Sequence, residues 1–425
     1  MAVSDTTEAL AVDHLDRHGT RSHEVYTAGF YEGGWDYEVR SILGRAARGG
    51  SEPGEVLATI ARVKPKDHRG WFAAWEALGR DVARQAQRCA DTGHTVSAAR
   101  AFLRAANYLA VAVEAIDGLD DDTADHLPTF RAHRAAWEGF VAHGRWPAQA
   151  VTIPYDGSSM PGWFFRPDLS GEPRPVLVMN NGSDGSVSGL WCQGAEGALE
   201  RGYAVLLFDG PGQQSMLFER GVPFRPDWEN VLTPVVDHLA TRDDVDQDRV
   251  AVYGVSQGGY WVPRALAFEH RFAAAVADGG VVDVGRSWLS NIPHAVLDEY
   301  RKGHKEKFDR DMRLGMRLPG GRAARETWAF RARPYGVEGY SAVLDEVSRY
   351  ALTPELGARI TTPLLVTDPD GDQFFPQSAE LAKLVPGATL ARFTQDEGAA
   401  SHCQPLAREL TEQRMFDWLD ERLHL

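Results

Sequence analysis

The residues Gly254-Val255-Ser256-Gln257-Gly258 set a serine between glycines two positions before and two after it, directly behind the apolar run Arg249-Val250-Ala251-Val252-Tyr253. A strand entering such a turn and a helix leaving it would form a nucleophile elbow, which bends the chain sharply and exposes the serine Oγ. Gly254, Gly258 and Gly259 supply the small positions, and Tyr260 to Ala267 reads as the helix, with Pro263 near its first turn, where an amide hydrogen is dispensable. The pentapeptide alone is weak in a chain with 42 glycines; its strand-then-helix context gives it weight.

An alcohol is a poor nucleophile without a base, and the base needs an orienting acid; behind an elbow they follow in the order acid, then histidine. The buried-strand pattern Pro363-Leu364-Leu365-Val366-Thr367 empties into a loop holding Asp368, Asp370 and Asp372. Asp372 is the preferred acid and Asp370 the alternative. Farther on, Val385 to Phe393 reads as a last strand region and Leu406 to Leu423 as a terminal helix, with Glu397-Gly398-Ala399-Ala400-Ser401-His402-Cys403 between them. Of 14 histidines, His402 is the one in a base's position, whereas His270, His294, His304 and His424 have no comparable placement.

Attack on a carbonyl also needs N–H donors for the developing oxyanion. The Gln257 amide, next after the serine, is one candidate. The turn Asn180 to Ser186 after the strand Pro175-Val176-Leu177-Val178-Met179 offers the other, with the Ser183 amide preferred and Gly182 second.

The elements that must hold these residues divide the chain. Residues from about 20 to 145 carry helical periodicity, as in Trp71 to Leu78 and Ala98 to Leu109, and Trp71, Trp75, Phe102 and Tyr108 read as helix-packing core. From Val151 onward short strands alternate with helices: Val151–Tyr155, Met160–Arg166, Val176–Met179, Ala204–Phe208, Val250–Tyr253, Ala273–Val276 and Leu364–Thr367. That is the pattern of a mostly parallel α/β sheet. The expected division is 1–148, an α-helical N-terminal cap, and 149–425, a catalytic α/β domain. The stretch of about 75 residues from 285 to 360 is too long for a simple crossover and reads as a helical lid. The turn Phe208-Asp209-Gly210-Pro211-Gly212-Gln213 reads as support for the fold more than for chemistry. Cap and lid are expected to close an apolar, aromatic pocket over Ser256.

Composition excludes several functions. The formal net charge of −15, with no basic stripe, argues against nucleic acid and anionic membranes. No apolar run is long enough for a membrane span, and Met1 to Glu8 lacks a signal-peptide pattern, so a cytoplasmic location is expected. Cys89, Cys192 and Cys403 are widely separated, without metal-ligand spacing, so no metal and no cofactor are expected; Cys403 reads as a small packing residue. The expected partner is a small-molecule substrate; a homodimer is left open.

These residues together resemble the α/β-hydrolases, in the branch with 2,6-dihydroxypseudooxynicotine hydrolase and the fungal yellowish-green pigment hydrolases. The likeness covers most of the chain. It rests on Trp71-x-x-x-Trp75, Ser97-Ala98-x-x-x-x-Leu103-x-Ala105-x-x-Tyr108, Ile153-Pro154-Tyr155, Asn181-Gly182-Ser183-Asp184-Gly185, Phe208-Asp209-Gly210-Pro211-Gly212-Gln213, the elbow, and Ser401-His402-Cys403-Gln404. The spacing of Asp372 to Pro376 also matches the acid loop of many such hydrolases. The resemblance implies an eight-stranded, mostly parallel sheet with a helical N-terminal region beside the active site. It further implies ester or ketone-adjacent C–C hydrolysis of a small, aromatic or polyketide-like carbonyl compound. Alternatives are a peptidase of the acylaminoacyl or dipeptidyl type, an acyltransferase or cyclase on the same residues, and a ligand-binding receptor without turnover.

Overall fold

A computed structural model describes residues 29–425 except 117, 118, 120–122, 291, 319 and 320. The reading of Met1 to Glu8 lies outside the described residues. Among the described residues five α-helices come first: α1 (Gly34–Gly44), α2 (Pro53–Ile60), α3 (His68–Asp91), α4 (Thr95–Glu114) and α5 (Thr123–His143). Helix α4 is alanine-rich and buried along nearly its whole length, which lets α3 and α5 pack closely on either side. Trp71 and Trp75 are buried on α3, where Trp71 stacks on Trp35 at 4.5 Å and Trp75 lies 6.0 Å from Tyr108.

Eight strands then form one sheet: β1 (Ala148–Tyr155), β2 (Ser158–Phe165), β3 (Arg174–Asn180), β4 (Ala204–Phe208), β5 (Val245–Val255), β6 (Ala274–Asp278), β7 (Leu364–Pro369) and β8 (Thr389–Phe393). Their order is β1-β2-β4-β3-β5-β6-β7-β8. Strand β2 runs antiparallel to β1 and β4, and all pairings from β4 to β8 are parallel. This is the α/β-hydrolase fold. Strands β3 to β6 are wholly or mostly buried because both faces are covered, so they read as continuous apolar runs. One face packs against the N-terminal helices and the terminal helix Arg408–Leu423. The other meets helices Glu229–Ala240 and Gly258–Leu266 and the 285–360 insertion.

Pro263 lies in the interior of the helix Gly258–Leu266, not in its first turn. The Gly259 carbonyl that Pro263 cannot engage instead accepts the Val281 amide at 3.4 Å. No helix among the described residues is long and apolar enough to cross a membrane.

Candidate active site

Ser256 stands at the end of β5, in the middle of the sheet, with a φ of 56°. The backbone is held in this left-handed state by packing on every side. A Cβ at Gly254 would come within 2.4 Å of the Gly258 carbonyl, and one at Gly259 within 1.8 Å of the Gly279 carbonyl, so both positions require glycine. The Ser256 amide donates to the Asp278 carbonyl at 2.8 Å, tying the turn to the end of β6.

Asp372 lies in the loop after β7. Its Oδ1 accepts the Phe374 and Phe375 amides at 2.9 and 2.7 Å, which leaves Oδ2 to face His402 Nδ1 at 2.8 Å. His402 Nε2 lies 2.9 Å from Ser256 Oγ. The structure therefore brings together Ser256, His402 and Asp372, which sequence order had placed on three separate loops. Asp370 is not part of this contact; its carboxylate pairs with Arg392 at 3.1 Å on the surface.

The electrostatics follow from burial and pairing. Burial alone raises a carboxyl pKa, but the His402 charge, the hydrogen bond to it and the two loop amides hold Asp372 below its ordinary value. For His402, burial pushes the imidazole down, yet its neighbours Cys403 and Asp372 raise it well above the ordinary value. Asp372 is the physical source of that rise, because burial raises the Cys403 thiol itself and so keeps it neutral near pH 7.

The His402 loop is anchored from all sides. Its amide donates to Gln373 Oε1 at 3.2 Å, and its carbonyl accepts the Tyr37 hydroxyl from α1 at 3.1 Å. Cys403 does more than fill space: its thiol donates to the Asp278 carbonyl at 3.3 Å. Below lies a buried polar cluster in which Asp278 accepts from Tyr253, Thr367 and Arg408 at 2.6, 2.8 and 3.1 Å. Arg408 also donates to the Cys403 and Gln193 carbonyls.

Of the two candidate amides in the turn after β3, that of Gly182 donates to Asn181 Oδ1 at 2.9 Å. Gly182 is also the close neighbour of the serine, since a Cβ there would lie 2.8 Å from the Ser256 Cβ. Gln213, from the turn after β4, donates its Nε2 to the Asn181 and Gly182 carbonyls at 2.9 and 3.0 Å, while its Oε1 accepts the Gly210 amide. That turn therefore positions the loop beside the serine and is not only a support for the fold.

Ser256, Gln257, Gly182, Ser183 and His402 open into one cavity of about 310 Å³. Much of its remaining wall comes from α1, α4, α5 and the 285–360 insertion, with Leu217 and Phe218 after β4 and Phe374 and Phe375 after β7. Trp288, Phe330, Pro334 and Tyr335 give it the expected apolar, aromatic surface, and charged side chains stand among them. Glu38 and Glu114 hydrogen-bond each other in the wall, and burial pushes both carboxyls up against the opposing pull of Arg45. Asp184 is likewise raised by burial, while His133, its Nε2 3.2 Å from Ser188 Oγ, is pushed well below its ordinary value. Helical periodicity marks such positions as polar, but not that they face a cavity. No cluster of metal-binding side chains occurs among the described residues.

A model of the prolyl oligopeptidase family matches residues 198–312. Hydrolase LUC6 from Fusarium sp is 30% identical over 424 residues, spanning 94% of this chain and 98% of the relative. The 20-hydroxy-prefusarin hydrolase FUS2 from Gibberella moniliformis is 27% identical over 423 residues, spanning 94% and 97%. The crystal structure of 2,6-dihydroxy-pseudo-oxynicotine hydrolase superposes with a TM-score of 0.68 at 21% identity, covering 90% of this chain and 95% of that one, a likeness of fold.

Proposed function

The chain belongs to the α/β-hydrolase family and is a hydrolase, and from that premise we propose that Ser256, His402 and Asp372 are its catalytic triad and that it hydrolyses a small carbonyl compound. The observation that carries this reading is the unbroken chain of hydrogen bonds from Asp372 Oδ2 through His402 to Ser256 Oγ, at 2.8 and 2.9 Å, facing a cavity of about 310 Å³. In this reading Ser256 Oγ attacks the substrate carbonyl and gives its proton to His402 Nε2. Asp372 holds the imidazole in the tautomer whose Nε2 can accept that proton, and stabilises the imidazolium that results. His402 then protonates the departing group, and water releases the acyl group from Ser256 by the same steps.

The Gln257 amide and the Ser183 amide are proposed as the oxyanion donors. Ser183 is preferred over Gly182 because the Gly182 amide is already engaged by Asn181. Substrate size is argued from the cavity: about 310 Å³ closed by helices on one side and the insertion on the other suits a compact ligand better than an extended peptide. The name of the FUS2 relative, a hydrolase of 20-hydroxy-prefusarin, agrees with a small polyketide-like or aromatic substrate. A panel of aryl esters, 1,3-diketones and peptide esters tests this reading; preference for the peptide esters would refute it.

A further inference from the structure

Two polar groups in the cavity wall have no role in the triad. The first is the side chain of Gln257, as distinct from its backbone amide. The residue is only 3% exposed and lines the cavity beside Ser256. Its Oε1 accepts the Tyr335 hydroxyl from the insertion at 3.3 Å, and its Nε2 has no hydrogen-bond partner among the described residues. Exchanging the amide's oxygen and nitrogen would still leave one polar atom of the pair unpartnered. A buried donor in this state is costly, and a ligand oxygen would satisfy it.

The second is Arg331, also from the insertion. Its guanidinium lines the same cavity, lies 4.9 Å over the Trp288 ring and donates to Ser287 Oγ at 2.8 Å. No carboxylate among the described residues stands within ion-pair distance of it, and burial pushes its pKa below the ordinary arginine value. A cation thus lines the same cavity as the nucleophile without an ion pair of its own, Asp184 in that wall being the carboxylate whose charge acts on it. Tyr335 stands beside both groups, since its hydroxyl donates to Gln257 and lies within electrostatic reach of the Arg331 guanidinium.

We propose that the Gln257 carboxamide and Arg331 form a second oxygen-binding subsite, which takes the far carbonyl of a 1,3-dicarbonyl substrate and stabilises it as it becomes an enolate. The inference rests on the serine-hydrolase reading above and specifies the bond broken. Ser256 Oγ adds to the first carbonyl carbon, whose oxygen is held by the backbone donors. When the adduct collapses, the bond from that carbon to the central carbon breaks. Its electron pair forms the enolate double bond and places negative charge on the far oxygen, against Arg331 and Gln257. His402 returns its proton to the central carbon, giving a ketone, and water then releases the acyl group as a carboxylic acid. One diketone and one water become one acid and one ketone. A simple ester needs no second subsite, because its alkoxide leaving group is protonated directly by His402.

The test compares Arg331→Gln and Gln257→Met with the unaltered protein on benzoylacetone and on phenyl acetate, with labelling by a fluorophosphonate serine probe measured in parallel. The subsite predicts that kcat/KM for the diketone falls roughly 10²–10³-fold in each variant, as for loss of an oxyanion donor, and at least tenfold more than for the ester. Arg331→Lys, which keeps the charge, is expected to recover part of the loss. Equal losses on both substrates, or no cleavage of the diketone by the unaltered protein while Ser256 labels normally, would overturn the subsite and leave the triad standing. Failure of Ser256 to label in the unaltered protein would instead refute the reading on which the subsite rests.

Discussion

The Tyr37 hydroxyl, on the first described helix, donates to the backbone carbonyl of His402 at 3.1 Å, and its ring packs edge-on against Phe374 at 5.2 Å. A residue from the N-terminal helices thus reaches the loop of the proposed base, which makes those helices part of the active site's support as well as of its wall. Removal of one hydrogen bond of this kind typically costs about 0.5–1.5 kcal/mol. Tyr37→Phe is accordingly expected to lower kcat by up to about tenfold through a looser His402, with a smaller change in KM. An unchanged kcat would show that the contact is passive.

Gln213 offers a sharper case. Its carboxamide holds the carbonyls of Asn181 and Gly182, so Gln213→Ala leaves the Gly182 carbonyl without this donor and the Asn181 carbonyl with Asn180 Nδ2 alone, and frees the loop carrying the Ser183 amide. Loss of an oxyanion donor costs roughly 10²–10³ in rate, and Gln213→Ala is expected to approach the lower figure in kcat. Steady-state kinetics checks this, and a purely additive effect in Gln213→Ala combined with Ser183→Pro, which removes that N–H, would contradict a shared role.

The buried pair of Arg408 and Asp278, 3.1 Å apart and 4% and 0% exposed, predicts a stability effect. Arg408→Met strands the Asp278 carboxylate and the Cys403 and Gln193 carbonyls together. Breaking such a pair from one side costs about 3–5 kcal/mol. Urea unfolding measures it, and a loss below about 1 kcal/mol would show that the cluster is not a structural tie.

The rate should depend on pH in a definite direction. The proposed base His402 can take a proton only when neutral, and Asp372 holds its pKa well above the ordinary histidine value. The rate should therefore be low at acidic pH and rise as pH passes through that elevated pKa, so the midpoint of kcat/KM against pH is expected above about 6.5. In Asp372→Asn the midpoint should fall and the rate drop by about 10⁴. A midpoint below 6.5 in the unaltered enzyme would contradict the pairing.

Much of this arrangement is legible in the sequence, and the reason is local. The elbow at Ser256 is a backbone device, so its glycines and flanking apolar run appear within a dozen residues. Buried parallel strands leave continuous apolar runs, which is why β3 through β7 can be found and the loops that follow them located. The side chains facing the cavity are different. Tyr37 on α1, Glu114 on α4 and Arg331 in the insertion meet only through packing between distant segments, and each looks in sequence like an ordinary position on a helix. Gln213 reads as a turn residue because its partners, Asn181 and Gly182, lie on another strand's loop. The same holds for the charges within the pocket: aromatic residues of the insertion are visible as a class, but Glu38, Glu114, Asp184 and Arg331 come to share one wall only through the fold.

The most direct measurement of the central claim is the site of covalent capture by a fluorophosphonate, read by mass spectrometry of the digested protein. A single adduct on Ser256 is expected, lost in Ser256→Ala and strongly slowed in His402→Ala, with turnover of an aryl ester abolished in both variants while each stays folded by circular dichroism. An adduct on a different serine, or ester turnover above a few per cent in Ser256→Ala, would contradict it.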